Sequence, residues 1–490
     1  MCAAALRPDG ASRGAAFGGF LCMPCSALAL ALECSCCVRS HPYSGLVFVA
    51  RPKSTVQALI LALEHRYYGA SQPLPDLSTS NLRFLSSRQA LQDIALFHEH
   101  ATALMELPAS TKWVAFGGSY PGMLAAWSRS KFPHLFHAAV SSSAPVEAIL
   151  NMRGYNDVTA ASLADSLVGG SKACLAAVQS AFAVLGSKLE TAAGRRELER
   201  DLNACGGPGM RTLEDAGARA LLAEGAADPL IPQSNDPACT SSPVCDIRGQ
   251  CRMLTNDSIG LPYERLVELN RVARGGACLD ANFTAMVEAL RSVEVSDDRT
   301  DRVWFYQTCT EFAFYQTCDP DSACPFTSQP HINTLESYTG LCKQVFDIDA
   351  AAVASFVKET NAVYGGRSIR ASRVLWVNGI IDPWRAQAVT KSPDPKLQPV
   401  LLVPGASHHF WTHPPQPTDS SYVVKARLQI ADFVSTALAE PVADLFKGER
   451  AVARGSERAG KKHYTSDPTD WMLDNKRLPG VPLSPFQAVG

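Results

Sequence analysis

The chain lacks an excess of charge of either sign. Its 45 Lys and Arg stand against 47 Asp and Glu, a formal net charge of −2 over 490 residues. No global field of the kind that gathers nucleic acid or anionic membrane surfaces is expected. Long apolar runs are also scarce. After residue 33 no stretch approaches the ~18 uninterrupted apolar residues of a membrane span, so stable membrane insertion is not expected. No cysteine spacing matches a zinc site, and no nucleotide or flavin motif is found, so neither metal nor cofactor is expected. No repeat of solenoid period is visible. Cysteine itself is absent from residues 38 to 173 and again after 342.

That last absence sharpens what is present. Of 16 cysteines, six crowd the first 37 residues and ten lie between Cys174 and Cys342. An even set confined to one middle segment reads as a disulfide-stapled unit, with buried free thiols as the alternative. Two N-x-S/T sequons, at Asn256 and Asn282, fall in the same segment and suit a glycosylated protein of the secretory pathway. Residues 17–33 roughly resemble a signal peptide, with Arg7 and Arg13 upstream, although Asp9 and several glycines interrupt the lead-in.

The pattern along the chain divides it. Residues 1–43 read as a leader or irregular segment. From 44 to 155, apolar runs alternate with helical patterns. SGLVFVA (44–50) and ALILALE (58–64) are candidate strands, and residues 85–104 predict an amphipathic helix capped by Ser86 or Ser87. A strand over 113–117, a helix over 123–132 and a strand over 138–146 imply a parallel βαβ unit. Residues 156–340 hold all of the ten later cysteines but Cys342, with Ala- and Leu-rich helical stretches, and predict a mainly helical cap. The α/β pattern resumes over 341–440 with strands at 372–379 and 399–405 and a helix at 420–438. Residues 441–490 read as a flexible tail.

Within the first α/β part lies Trp113-Val-Ala-Phe-Gly-Gly-Ser119-Tyr-Pro-Gly122. A buried strand, small residues, a serine and then a helix make the elbow on which a serine hydrolase mounts its nucleophile. The helix N-terminus favours the developing negative charge, and the backbone N–H of Tyr120 is a candidate oxyanion donor. Serine needs a base and an orienting acid. Asp382 and His408 each follow a predicted strand and a Gly-containing turn, in the order Ser, Asp, His of α/β-hydrolases. Taken singly, Asp382 could cap a loop and His408 could sit on a surface loop.

These segments, with EHRYYGASQP (64–73), YQTCTEFAFYQT (306–317), TNAVYGG (360–366), VLWVNGIIDPW (374–384) and GASHH (405–409), resemble the prolyl carboxypeptidase and dipeptidyl-peptidase family of serine peptidases. The likeness runs over residues 58 to 438. It implies an α/β-hydrolase core interrupted by a helical, disulfide-bonded cap. It also implies exopeptidase action on peptides, often after proline, in lysosomes or outside the cell. By position, Ser119 matches the nucleophile, Asp382 the acid and His408 the base. The resemblance further suggests Met123 and Trp384 as walls of the pocket for the residue before the scissile bond, where an aromatic face suits a proline ring. Plain core packing is the alternative for both. Glu311 is a candidate for binding a substrate terminus, whereas Glu64, His65 and Arg66 suggest a structural role. A homodimer is left open.

The sequence also departs from the family. The Gly-rich turn with an acidic residue that completes the family's oxyanion hole has no counterpart in residues 1–57. Arg385 stands where the family has His, and Phe410-Trp411 replace Leu-Asp. Two rival readings follow. One is an esterase using the same three residues. The other is an impaired or non-catalytic homologue that binds peptides.

Overall fold

The computed structural model describes residues 46–51 and 58–440, apart from 206–211, 297–299, 327–333 and 393, and for 46–51 the backbone alone. The expected leader and tail lie outside the described residues.

Six strands form one sheet, in the order β2 (Leu59–Leu63), β1 (Leu46–Arg51), β3 (Lys112–Gly118), β4 (Phe136–Ser142), β7 (Val374–Gly379) and β8 (Val400–Val403). The last four run parallel, with Gly118 beside Ser142, Ala139 beside Val374 and Trp376 beside Val400. All seven residues of β4 and all six of β7 are buried, which explains why they read as continuous rather than alternating apolar runs. Successive side chains still take opposite faces. Trp113, Ala115, Ala139, Val374 and Trp376 pack with Leu91, Ile94 and Leu124 of the helices Ser87–Leu104 and Ser119–Lys131. Val114, Ala138, Val140, Leu375 and Val377 pack with Val423, Ala426 and Ile430 of the helix Ser421–Ala439. Ser86 caps the helix Ser87–Leu104, its hydroxyl accepting from the Gln89 N–H.

β1 runs antiparallel to both neighbours, pairing Val47 with Phe116 and Arg51 with Lys112. The chain therefore leaves β1 at the end of the sheet far from Ser119.

Between β4 and β7 lies a long, mainly helical segment with a two-stranded parallel ribbon, β5 (Ile149–Asn151) and β6 (Ala313–Tyr315). Its helices bury a core of their own, including Val178, Phe182, Leu185, Leu222, Leu266 and Leu269. Five disulfides use all ten of its cysteines: Cys174–Cys251, Cys205–Cys278, Cys239–Cys245, Cys309–Cys342 and Cys318–Cys324. Bonds closing loops as long as the first two typically contribute about 2–4 kcal/mol each, mostly by restricting the unfolded chain. Among the described residues, no helix is long and apolar enough to cross a membrane.

Candidate active site

The elbow is built by sterics. β3 ends at Gly118, and Ser119 opens the next helix with a backbone φ of +60°, a value non-glycine residues adopt only when their surroundings force it. A Cβ at Gly117 would lie 2.0 Å from the Pro121 carbonyl oxygen, so this tight turn admits glycine alone. Ser119 is half-buried. Tyr120 lies in the first helical turn, where backbone N–H groups have no intrahelical acceptor.

Asp382 follows β7 and is fully buried, with its Oδ1 accepting from the Trp384 N–H at 3.0 Å. His408 follows β8, and its Nδ1 lies 3.0 and 2.9 Å from the two Asp382 oxygens. A carboxylate only accepts, so Nδ1 carries a hydrogen and Nε2 is the ring nitrogen left for another partner. A Cβ at Gly379 would lie 2.2 Å from the Ala406 carbonyl, and this close approach brings the two loops together. The neighbouring His409 ring lies against the elbow: a Cβ at Gly118 would sit 3.0 Å from its Cδ2. Burial, then the nearby His408, pushes the His409 pKa well down and keeps that ring neutral. Among the described residues no hydrogen bond joins Ser119 to His408; the contact between their loops runs through Gly118 and His409.

Trp384 faces this centre. Its ring meets Tyr155 and Phe314 edge-on, at centroid distances of 5.4 and 5.6 Å, and lies 6.1 Å from the His408 ring. Gln233 ties the wall together. Its Oε1 accepts from the Trp384 indole at 2.8 Å and from the Tyr155 hydroxyl at 3.0 Å, while its carbonyl accepts from the His408 N–H. Met123 is fully buried in the same cluster as Phe312 and Phe314. Nothing in the sequence singles out Gln233, which lies in a polar Pro-containing loop, or Tyr155. Arg385 has its Nε buried without a partner, and burial lowers its pKa against the pull of Asp382.

Glu311 belongs to a π-turn, Thr308–Phe312, a distortion that recurs at functional sites. Its carboxylate accepts from the Ser87 N–H and hydroxyl and from Gln307 Nε2. Burial raises its pKa against those hydrogen bonds. Asn256 and Asn282 are both exposed in the helical segment; Asn256 accepts from Ser258, and Asn282 caps the helix Phe283–Arg291. Among the described residues no cluster of His, Cys, Asp or Glu is arranged to hold a metal ion.

Comparison with known proteins fits this architecture. The family model for serine carboxypeptidase S28 matches residues 48–430. Human thymus-specific serine protease is 39% identical over 403 residues, covering 80% of this chain and 76% of that protein. The mouse protein of the same name is 39% identical over 399 residues, covering 79% and 76%. A serine protease of Bipolaris victoriae is 27% identical over 399 residues, covering 72% and 71%. With the elbow serine, the α/β core and the disulfide-bonded helical insertion in place, the chain belongs to the serine carboxypeptidase S28 family, and it is a serine peptidase of the α/β-hydrolase fold.

Proposed function

We propose that the chain is an exopeptidase preferring proline next to the scissile bond, with Ser119 as nucleophile, His408 as base and Asp382 as the orienting acid. The observation that carries this is the contact of His408 Nδ1 with both oxygens of buried Asp382, on loops packed against the Ser119 elbow. His408 Nε2 takes the hydroxyl proton as Ser119 Oγ attacks the peptide carbonyl. Asp382 stays ionised and stabilises the imidazolium. The developing oxyanion meets the Tyr120 N–H at the helix N-terminus. His408 returns the proton to the leaving amine, and water then releases the acyl group by the same steps. The Trp384 face, walled by Tyr155 and Phe314 and backed by Met123, suits a compact proline ring. Five disulfides support a place in the secretory pathway, and exposed Asn256 and Asn282 are its glycosylation sites in this reading.

Purified protein and Ser119→Ala should be compared on peptides with Pro-Xaa C-termini and Xaa-Pro N-termini, at acid and neutral pH. Turnover of one class, lost in Ser119→Ala by on the order of 10⁶-fold, is expected. Equal turnover by Ser119→Ala would overturn the assignment. A folded wild-type sample that turns over neither class would point to a peptide-binding homologue.

A further inference from the structure

Tyr120 is held by its side chain as well as by its helix, and the hold reaches two motifs that have no reaction step of their own. His65 Nδ1 lies 2.7 Å from the Arg66 carbonyl oxygen. A carbonyl only accepts, so the hydrogen is on Nδ1. Burial pushes the His65 pKa down to about 4, against the Arg66 carbonyl contact, so the ring is neutral at working pH and Nε2 keeps its lone pair. Nε2 therefore accepts from the Tyr120 hydroxyl at 3.0 Å. The Tyr120 oxygen in turn accepts from Gln307 Nε2 at 3.1 Å. The second hydrogen of that amide goes to Glu311 Oε2 at 3.2 Å, and Gln307 Oε1 accepts from the Tyr68 hydroxyl at 2.6 Å. Glu311 closes the chain on Ser87. From His65 to Gln307 every hydrogen in this run has one allowed direction.

The anchors come from two places. His65 follows β2, and Gln307 ends the helix Thr300–Gln307. Gln307 is fully buried, and Tyr120, Glu311 and His65 nearly so. At the other end of Tyr120 is the Ser119 backbone, held at φ +60°, and the peptide that links the two residues carries the Tyr120 N–H.

We propose that His65, Gln307 and Glu311 are positioning residues for catalysis: by fixing the Tyr120 phenol they fix the 119–120 peptide, so that the Tyr120 N–H stays aimed at the oxyanion. This rests on Ser119 being the nucleophile. Glu311 thereby acts through Gln307 and Tyr120, with its carboxylate spent inside the protein.

The test separates transition-state from ground-state binding. Tyr120→Phe keeps the ring, packed near Trp304 and Phe312, and removes only the hydroxyl. Its kcat should fall about 10- to 100-fold with KM within twofold, because a misaimed donor weakens the transition state alone. Affinity for a peptide aldehyde, which forms a tetrahedral oxyanion on the serine, should fall by the same factor. Affinity for a non-reactive product peptide should not change. His65→Phe should give a similar loss, and the double variant should lose little more than either single one. Unchanged kcat in Tyr120→Phe, equal losses for aldehyde and product peptide, or fully additive losses would each overturn the proposal. If Tyr120→Phe does not fold, Gln307→Asn carries the same comparison, since it shortens the reach and keeps an amide. Ser119→Ala, run alongside, tests the nucleophile separately: turnover retained there sinks that assignment whatever Tyr120→Phe does.

Discussion

A serine held at φ +60° costs roughly 1–3 kcal/mol, and its neighbours must sustain that cost. Gly117 is where they do so most visibly. Gly117→Ala would drive a methyl into the Pro121 carbonyl, and backbone cannot swing aside as a side chain can. A loss near the top of the ~1–3 kcal/mol range of overpacking is expected, read as a lower urea midpoint, with fluorophosphonate labelling of Ser119 lost as well. At this scale the sequence is informative in a specific way. Ser119, Asp382 and His408 stand out as candidates because each follows an apolar strand at a glycine-containing turn. Gln233 does not, nor does the partnership of Tyr120 with Gln307, 187 positions away. Such contacts are made by the folded chain and leave no periodic or local trace.

Among the elements, the strands were the most legible and their directions the least. Residues 113–117 and 372–379 contain the cores of β3 and β7, because a doubly covered strand must be apolar throughout. The antiparallel course of β1 follows from which neighbours it pairs with, which LVFVAR does not encode. The element that shapes the site most is a loop, Pro232–Ser234, which holds the His408 backbone and the Trp384 indole at once. Gln233→Met keeps the volume and removes the acceptor. KM for a proline substrate should rise several-fold, with selectivity for proline over alanine reduced. Gln233→Glu keeps the acceptor and should restore selectivity. A steady-state comparison of the two substrates in both variants checks this, and equal selectivity in all three proteins would remove Gln233 from the pocket wall.

For the molecule as a whole, buried titratable groups set how stability responds to pH. Burial lowers His65, His98 and His137 to about 4, so the unfolded chain takes up protons below 6.5 that the folded one refuses. Their contribution makes acidification destabilising between about 6.5 and 4. Glu224, raised by burial to about 7 against a hydrogen bond from Tyr338, has the opposite sign. The folded protein holds that proton above 4.5 while the unfolded chain has released it, so stability is lost as pH rises from about 4.5 to 7. Glu224→Gln should therefore leave Tm unchanged near pH 4.5 and raise it progressively up to pH 7. Thermal melts across that range would show it, and a Tm gain independent of pH would contradict the assignment.

The pairing of β4 with β7 joins Ala139 to Val374, with the whole helical segment between them. As the chain is synthesised, β3, the elbow and β4 are complete long before β7 and β8 emerge. In the proposed mechanism the nucleophile thus waits without its base or acid while the cysteines of the intervening segment pair. A peptidase arranged in this order remains inert among the unfolded chains around it until its own last strands have arrived.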